Sequence, residues 1–216
     1  MQLSQIDEFA NQLNWNCRET ILEKGNAILS HLSSNRLLLK ELVENLNHDD
    51  ALFSLCERYD FFDKLILYID PSGRFKIRLS IFSEFVSNRP HFHRWSYVAK
   101  ILKGSYLHSI FGNEVDFEKT PIELLEPTHL CEISPQSPYF LHHSIVHAVK
   151  AKPRTVSLLL QGPPQKDRFL VIDRKIKRKW WEYGSEQETS DEKHRKQISK
   201  SRLKELIQIL CEEEII

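Results

Sequence analysis

Pro90-His91-Phe92-His93-Arg94-Trp95-Ser96-Tyr97-Val98-Ala99-Lys100-Ile101-Leu102-Lys103-Gly104 is the stretch on which the reading of this chain turns. From Tyr97 to Leu102 the residues suit a strand. Residues two apart in a strand project to the same face, so His91 and His93 point together. Two imidazoles side by side on a rigid strand can take adjacent coordination positions of one ion. The same pair also reads as two exposed histidines near a loop, and the spacing alone leaves both readings open.

Working outward, Leu65-Ile66-Leu67-Tyr68-Ile69 is a short apolar strand closed by the turn Asp70-Pro71-Ser72-Gly73. Phe75, Ile77 and Leu79 then alternate with Lys76, Arg78 and Ser80, the pattern of a half-buried strand. Strand-like segments recur over 97–102, 105–111, 128–133, 145–150, 155–161 and 168–172, with turn signals and no helices between them. Regular short strands of this kind predict a mainly β protein: a sandwich, jelly roll or barrel. Residues 1–62 are helical in pattern instead. Ser4 with Asp7 suggests a cap before Ile6, Phe9, Ala10 and Leu13, and two further apolar stripes follow. Asp49 or Asp50 is placed to cap a short fourth helix. After Trp180-Trp181 the chain turns polar, then ends in an amphipathic helix carrying Leu203, Leu206, Ile207 and Leu210. The expected organisation is a helical layer over 1–62, a β-barrel over 63–183, and a polar linker with a closing helix over 184–216.

Composition narrows the function classes. The 216 residues hold 30 Lys and Arg against 30 Asp and Glu, so no net field draws nucleic acid or an anionic membrane. The basic run Arg174-Lys175-Ile176-Lys177-Arg178-Lys179 is balanced by the acids after it and reads as a solvated edge strand. Cys17, Cys56, Cys131 and Cys211 are scattered without a Cys-x-x-Cys spacing, as free thiols of a reducing compartment are. No signal-peptide pattern opens the chain, and no apolar run approaches the ~20 residues of a membrane span. The expectation is a cytoplasmic protein with a small-molecule substrate, no nucleic-acid or membrane partner, and an oligomeric state left open.

The histidine stretch resembles the first motif of the cupin superfamily, which runs His-x-His, then three or four residues, Glu, six residues, Gly. His91, His93 and Gly104 fit, and Tyr97 stands at the Glu position. The second motif contributes one histidine, and Pro138-Tyr139-Phe140-Leu141-His142-His143-Ser144-Ile145-Val146-His147 is its counterpart, with His147 as ligand and His142 and His143 in the preceding turn. Within the superfamily the chain looks most like the cysteine-dioxygenase branch: the first-motif carboxylate is missing, and a strand with Val156-Ser157-Leu158 runs into Pro163-Pro164. This resemblance implies a cupin-type jelly-roll barrel between an N-terminal helical layer and a C-terminal helix. It also implies one metal, Fe(II) with Zn(II) as the alternative, on His91, His93 and His147. The activity implied is that of a non-haem oxygenase of a small thiol or amino-acid-like substrate; a zinc-dependent non-redox enzyme and a non-catalytic metal-binding cupin are the alternatives.

Several positions depart from that branch. Of its Ser-x-His-x-Tyr array only Ser157 remains, the other two positions being Leu159 and Gln161, and Val98 stands where the branch has a cysteine. Tyr97, Ser157 and Gln161 are therefore the candidate groups shaping the cavity, Tyr97 being either a hydrogen-bond donor near the metal or a barrel-core tyrosine. No arginine matches the one that grips the substrate carboxylate. Lys64 lies nearest, and Arg78, Arg94 and Arg168 are the other cations available; Arg78 shares a face with Lys76 and Ser80 that reads as solvated. His108 is either a partner to a ligand or an ordinary strand histidine, and the second reading is preferred.

Overall fold

The computed structural model describes residues 4–83, 89–135 and 138–216, with side chains from residue 6 onward. The side-chain cap expected at Ser4 therefore lies outside the described set.

Eleven strands are found among the described residues: β1 (Glu57–Arg58), β2 (Phe62–Ile69), β3 (Lys76–Phe82), β4 (Tyr97–Lys103), β5 (Tyr106–Asn113), β6 (His129–Ile133), β7 (Tyr139–Leu141), β8 (Ile145–Ala151), β9 (Val156–Gln161), β10 (Arg168–Asp173) and β11 (Arg178–Tyr183). They form two antiparallel layers. The first has the order β1-β2-β3-β9-β4-β7. The second contains β6-β5-β8 and the hairpin β10-β11, joined by a strip of backbone at the histidine stretch. His91 bridges His147 on one side and Val171 on the other, and Ile172 N–H donates to the Pro90 carbonyl at 2.9 Å. The chain then crosses from the second layer to the first between Arg94 and Ser96 to begin β4. Two curled layers exchanging strands in this way make the expected jelly-roll barrel.

The helices are α1 (Ser4–Asn11), α2 (Arg18–Ser34), α3 (Arg36–Asn45), α4 (Asp50–Phe53), α5 (Glu114–Lys119), α6 (Ser190–Lys196) and α7 (Lys200–Glu212). The first four helices and the last cover the outer face of the first layer, while α5 packs against β5 and β8 of the second. Asn35 caps α3 by accepting from Leu38 N–H, and Asp49 rather than Asp50 caps α4. One apolar cluster takes in Ile21, Ile28 and Leu32 of α2, Leu65, Ile77, Leu79, Val98, Leu158 and Leu160 of the first layer, and Leu203, Leu206 and Leu210 of α7. Each such side chain, when fully buried, contributes roughly 1.5–3 kcal/mol. Because β9 is buried on both faces, Val156 through Leu160 read as an apolar run with one serine rather than as an alternation.

One feature was not anticipated, and another falls where the sequence reads as a loop or a frayed helix. A short helix, α5, interrupts the strands after β5, started by the Asn113 side chain accepting from Val115 and Asp116 N–H. At six residues it is too short to show a helical stripe. The polar stretch after the barrel contains α6, held by a capping box between Thr189 and Glu192. Beyond α6, Gln197 bridges Glu57, so the C-terminal segment runs along the edge of the first layer. No described helix is long and apolar enough to cross a membrane.

Candidate metal centre

His91 and His93 do not lie in a regular strand. Pro90 lacks an N–H, and only His91 makes ladder contacts before the chain turns across to β4. The alternation nonetheless holds: Phe92 packs outward on Phe117 and Trp181 while the histidines face inward. His147, mid-way in β8, is the direct neighbour of His91, not a residue of a facing sheet. The two exchange both backbone hydrogen bonds, at 2.9 and 2.8 Å. His93 N–H donates to the His143 carbonyl at 3.3 Å, which fixes the second ring beside the other two.

The three rings converge. One nitrogen from each of His91, His93 and His147 lies within 4.8 Å of the others, and the Nε2 atoms of His93 and His147 are 2.8 Å apart. Nitrogens sharing an ion at about 2.0–2.1 Å must sit about 3 Å from one another. The far nitrogens are held as ligands require. His91 Nδ1–H donates to the Arg89 carbonyl at 2.9 Å, leaving Nε2 free. His147 Nδ1 meets His108 Nε2 at 2.8 Å; the tautomer that suits a metal has His147 donating, which again frees Nε2. His108 is thus a partner to a ligand, contrary to the preferred sequence reading. Its role was hidden because it depends on the β5–β8 register, which sets Ile110 opposite His147 and leaves His108 one pleat away on the same face.

Electrostatics keep the rings neutral. Burial drives the His93 and His147 imidazoles well below the ordinary histidine range, and the neighbouring imidazole of His91 adds to it. Burial also lowers His91 and brings His108 to about 4. Neutral imidazoles with free Nε2 lone pairs and no carboxylate in the set fit a borderline divalent ion such as iron or zinc.

The residues around the centre are mostly aromatic. Trp95 stacks on His93, with ring centroids 4.6 Å apart. Tyr97 stands edge-on to His93 at 5.3 Å and belongs with Ala99, Leu141 and Leu159 to an apolar patch of the barrel interior. Burial raises its hydroxyl well above the ordinary tyrosine value, so it stays protonated. Gln161 pairs in register with Tyr97, at the level of the histidines. Ser157 pairs with Ile101, four residues and about 13 Å further along the strand, near the inner cluster of Phe82, Ile101 and Tyr106. The structure thus brings Tyr97 and Gln161 to the level of the metal centre and leaves Ser157 at the far end.

The cations sort as clearly. Arg94 points away, donating to the Lys166 carbonyl and ion-paired with Glu186. Arg168 lies on the Trp181 ring. Lys64 is buried in an ion pair with Glu57. Arg78 is not solvated: it faces the barrel interior, with its guanidinium 5.0 Å from the Trp95 ring centre.

No protein-family profile and no curated protein sequence matches the chain. Among solved structures it is similar to KdgF from a Halomonas species, at 14% identity over 50% of this chain and 86% of that one, with a TM-score of 0.38. An RmlC-like cupin from Shewanella frigidimarina shares 12% identity over 52% of this chain and 86% of its own, TM-score 0.39. Ectoine synthase from P. lautus shares 12% over 51% of this chain and 70% of its own, TM-score 0.39. These neighbours are cupin-family proteins matched over about half the chain, and they assign it no activity.

Proposed function

We propose that this protein is a metal-dependent cupin enzyme, a mononuclear non-haem iron oxygenase of the cysteine-dioxygenase-like kind, acting on a small thiol or amino-acid-like molecule. The observation that carries the reading is the donor set: three buried neutral imidazoles with their outer nitrogens pinned and no carboxylate among them. Such a set leaves a divalent ion with its full positive charge and open adjacent positions, which favours an anionic chelating ligand. Fe(II) there would supply a redox-active centre at which substrate and dioxygen meet. His91, His93 and His147 would hold the ion; Tyr97 donates a hydrogen bond from its protonated hydroxyl, and Gln161, in register with it, contributes a polar group at the same level, Ser157 lying deeper in the barrel. Trp95, Tyr97 and Phe169 around the rings limit the water that reaches the centre.

Three histidines and water also describe a hydrolytic or lyase-type zinc centre, where the ion acts as a Lewis acid. Anaerobic purification with metal quantitation, followed by oxygen-electrode assays over small thiols and amino acids, separates the two. Iron at about one per chain with substrate-dependent oxygen uptake is expected. Tightly held zinc with no oxygen uptake would replace the first reading by the second. A protein that binds neither metal would leave no enzyme to argue for.

A further inference from the structure

The hairpin β10-β11 ends in a turn of unusual composition. Residues 174–177 read Arg-Lys-Ile-Lys, and Arg178 and Lys179 follow at once in β11. Turn tips are usually glycine, asparagine, aspartate or serine, which accept the bent backbone or bond to it. Here Lys177 takes a φ of 51°, in the left-handed region where glycine or asparagine is the usual occupant. The tip carries Ile176, which is 63% exposed. Asp173 fixes the bend by accepting from the N–H groups of Lys175 and Ile176 at 2.9 and 3.2 Å. The side chains of Lys175, Ile176 and Lys177 are left facing outward.

In the sequence this basic run is balanced by the acids after it, but the fold uses those acids elsewhere. Glu186 pairs with Arg94, Glu188 with Lys196 at 2.8 Å, and Glu182 with Lys196 and the Trp180 Nε1–H. Asp173 pairs with Arg89 at 2.9 Å. The carboxylates that face the turn come from α5 and the stretch after it. Glu126 meets Arg174 at 3.0 Å, and Glu123 lies 3.9 Å from Lys177, both of that second pair being mostly in water. Glu118 stands beside them, its carbonyl accepting from Lys179. Lys119, Arg174, Lys175, Lys177, Arg178 and Lys179 thus outnumber Glu118, Glu123 and Glu126 two to one. Lys175 and Arg178, both exposed, form no ion pair among the described residues. Leu124, between the two pairing glutamates in the chain, is 70% exposed. A second branched aliphatic side chain therefore lies at the same corner.

Single apolar residues on a surface need no explanation; two aliphatic tips inside a collar of excess cations form a pattern. The turn is convex, whereas small-molecule sites are concave. A nucleic acid would use cations and aromatic faces and gain nothing from Ile176 or Leu124. The rings present already lie under their own cations: Arg168 is 4.1 Å from the Trp181 centre, and Arg178 is 5.9 Å from that of Trp180. A bilayer surface with anionic headgroups takes both parts. Cations sit among its phosphates and carboxylates, and aliphatic tips enter the boundary between headgroups and acyl chains. The zero net charge of the whole chain does not oppose this, since screening confines the relevant field to about 10 Å around the turn.

We propose that the β10-β11 turn is a docking point for an anionic lipid surface, with Ile176 and Leu124 entering the headgroup layer and Lys175, Lys177, Arg178 and Lys179 meeting lipid anions around them. This surface is separate from the metal centre and does not depend on it.

The test is co-sedimentation of the full chain with vesicles of phosphatidylcholine alone and of phosphatidylcholine mixed with phosphatidylserine, at low and raised salt. The wild type is expected to sediment with the mixed vesicles only, and less so as salt rises. Lys175→Gln and Arg178→Gln should each weaken partitioning about fivefold, and Ile176→Ser by about as much. Lys204→Gln removes an exposed cation from α7 and should change nothing. All four variants should keep the wild-type unfolding midpoint, which separates lost docking from lost fold. Equal binding to both vesicles, no binding to the mixed ones at low salt, or wild-type partitioning by the double variant Lys175→Gln/Arg178→Gln would overturn the proposal. An Ile176→Ser variant that partitions as wild type would do the same, because cations alone would then suffice. Duplex DNA bound with the same dependence on Lys175 and Arg178, by a protein indifferent to vesicles, would assign the turn to nucleic acid and overturn it equally.

Discussion

At the scale of single residues, the centre is built by what holds the imidazoles as much as by the imidazoles themselves. His108 fixes the tautomer of His147, and the Arg89 carbonyl does the same for His91. Such outer partners are commonly worth 10–100-fold in metal affinity. His108→Ala is therefore expected to weaken zinc binding by about that factor while leaving the far-ultraviolet circular dichroism unchanged; an affinity equal to wild type would remove His108 from the site. The His-x-His spacing and His147 were legible because they belong to short local patterns. Arg78 was not. Its strand alternates cleanly, which says that the two faces differ, not which face meets water. The apolar side went to the helices and the polar side to the barrel interior, the reverse of the usual sheet with one solvated face.

At the scale of elements, most strands were readable because turns and apolar runs alternate regularly between residues 62 and 173. The crossing of the chain between layers at 94–96 was not, since nothing local distinguishes a residue in one sheet from its neighbour in the next. Gly104 marks the corner where β4 passes to β5. Its φ of 79° lies in the left-handed region, and an added Cβ would stand 2.4 Å from Thr155 Oγ1 and 2.9 Å from Thr155 Cα. Gly104→Ala thus faces both backbone strain and a collision with the connection before β9. A loss of about 2 kcal/mol or more is expected in urea unfolding; a change under half of that would show that the corner yields easily. Gly25 answers to a different need: α2 approaches β4 so closely that a methyl there would meet Val98 Cγ2 at 2.9 Å. The helical layer therefore bears directly on the strand that continues from the two histidines.

For the whole molecule, one apolar cluster runs through all three of the ranges read from the sequence, with Ile6, Leu79 and Leu206 among its members. Stability is accordingly a property of the entire chain, and acid should reveal what the histidines contribute. His93, His147 and His108 have folded-state values below the ordinary 6.5, reaching about 4 at His108. The unfolded chain therefore binds protons that the fold refuses. Their stabilisation is present in full above the unfolded value and is lost as pH falls below it, at up to about 1.4 kcal/mol per pH unit for each, the loss at His108 running from about 6.5 to about 4. Denaturant midpoints of the metal-free protein between pH 7 and 5 should fall steeply, and less so in His108→Phe; a flat profile would mean that these rings protonate freely in place.

The second layer has a seam. Its two parts, β6-β5-β8 and β10-β11, meet through the few residues around His91, whose backbone is laced to His147 on one flank and to Val171 on the other. An ion gripped by the rings of 91 and 147 would clasp that seam from the inside, so the chemistry of the centre and the closure of the barrel wall share one strip of peptide. Whatever loosens the grip would also strain that strip, and the hairpin beyond it, which among the described residues has no backbone pairing with β8 and meets it only through the side chains of Val146, Ala148, Leu170 and Ile172, is where an opening would begin.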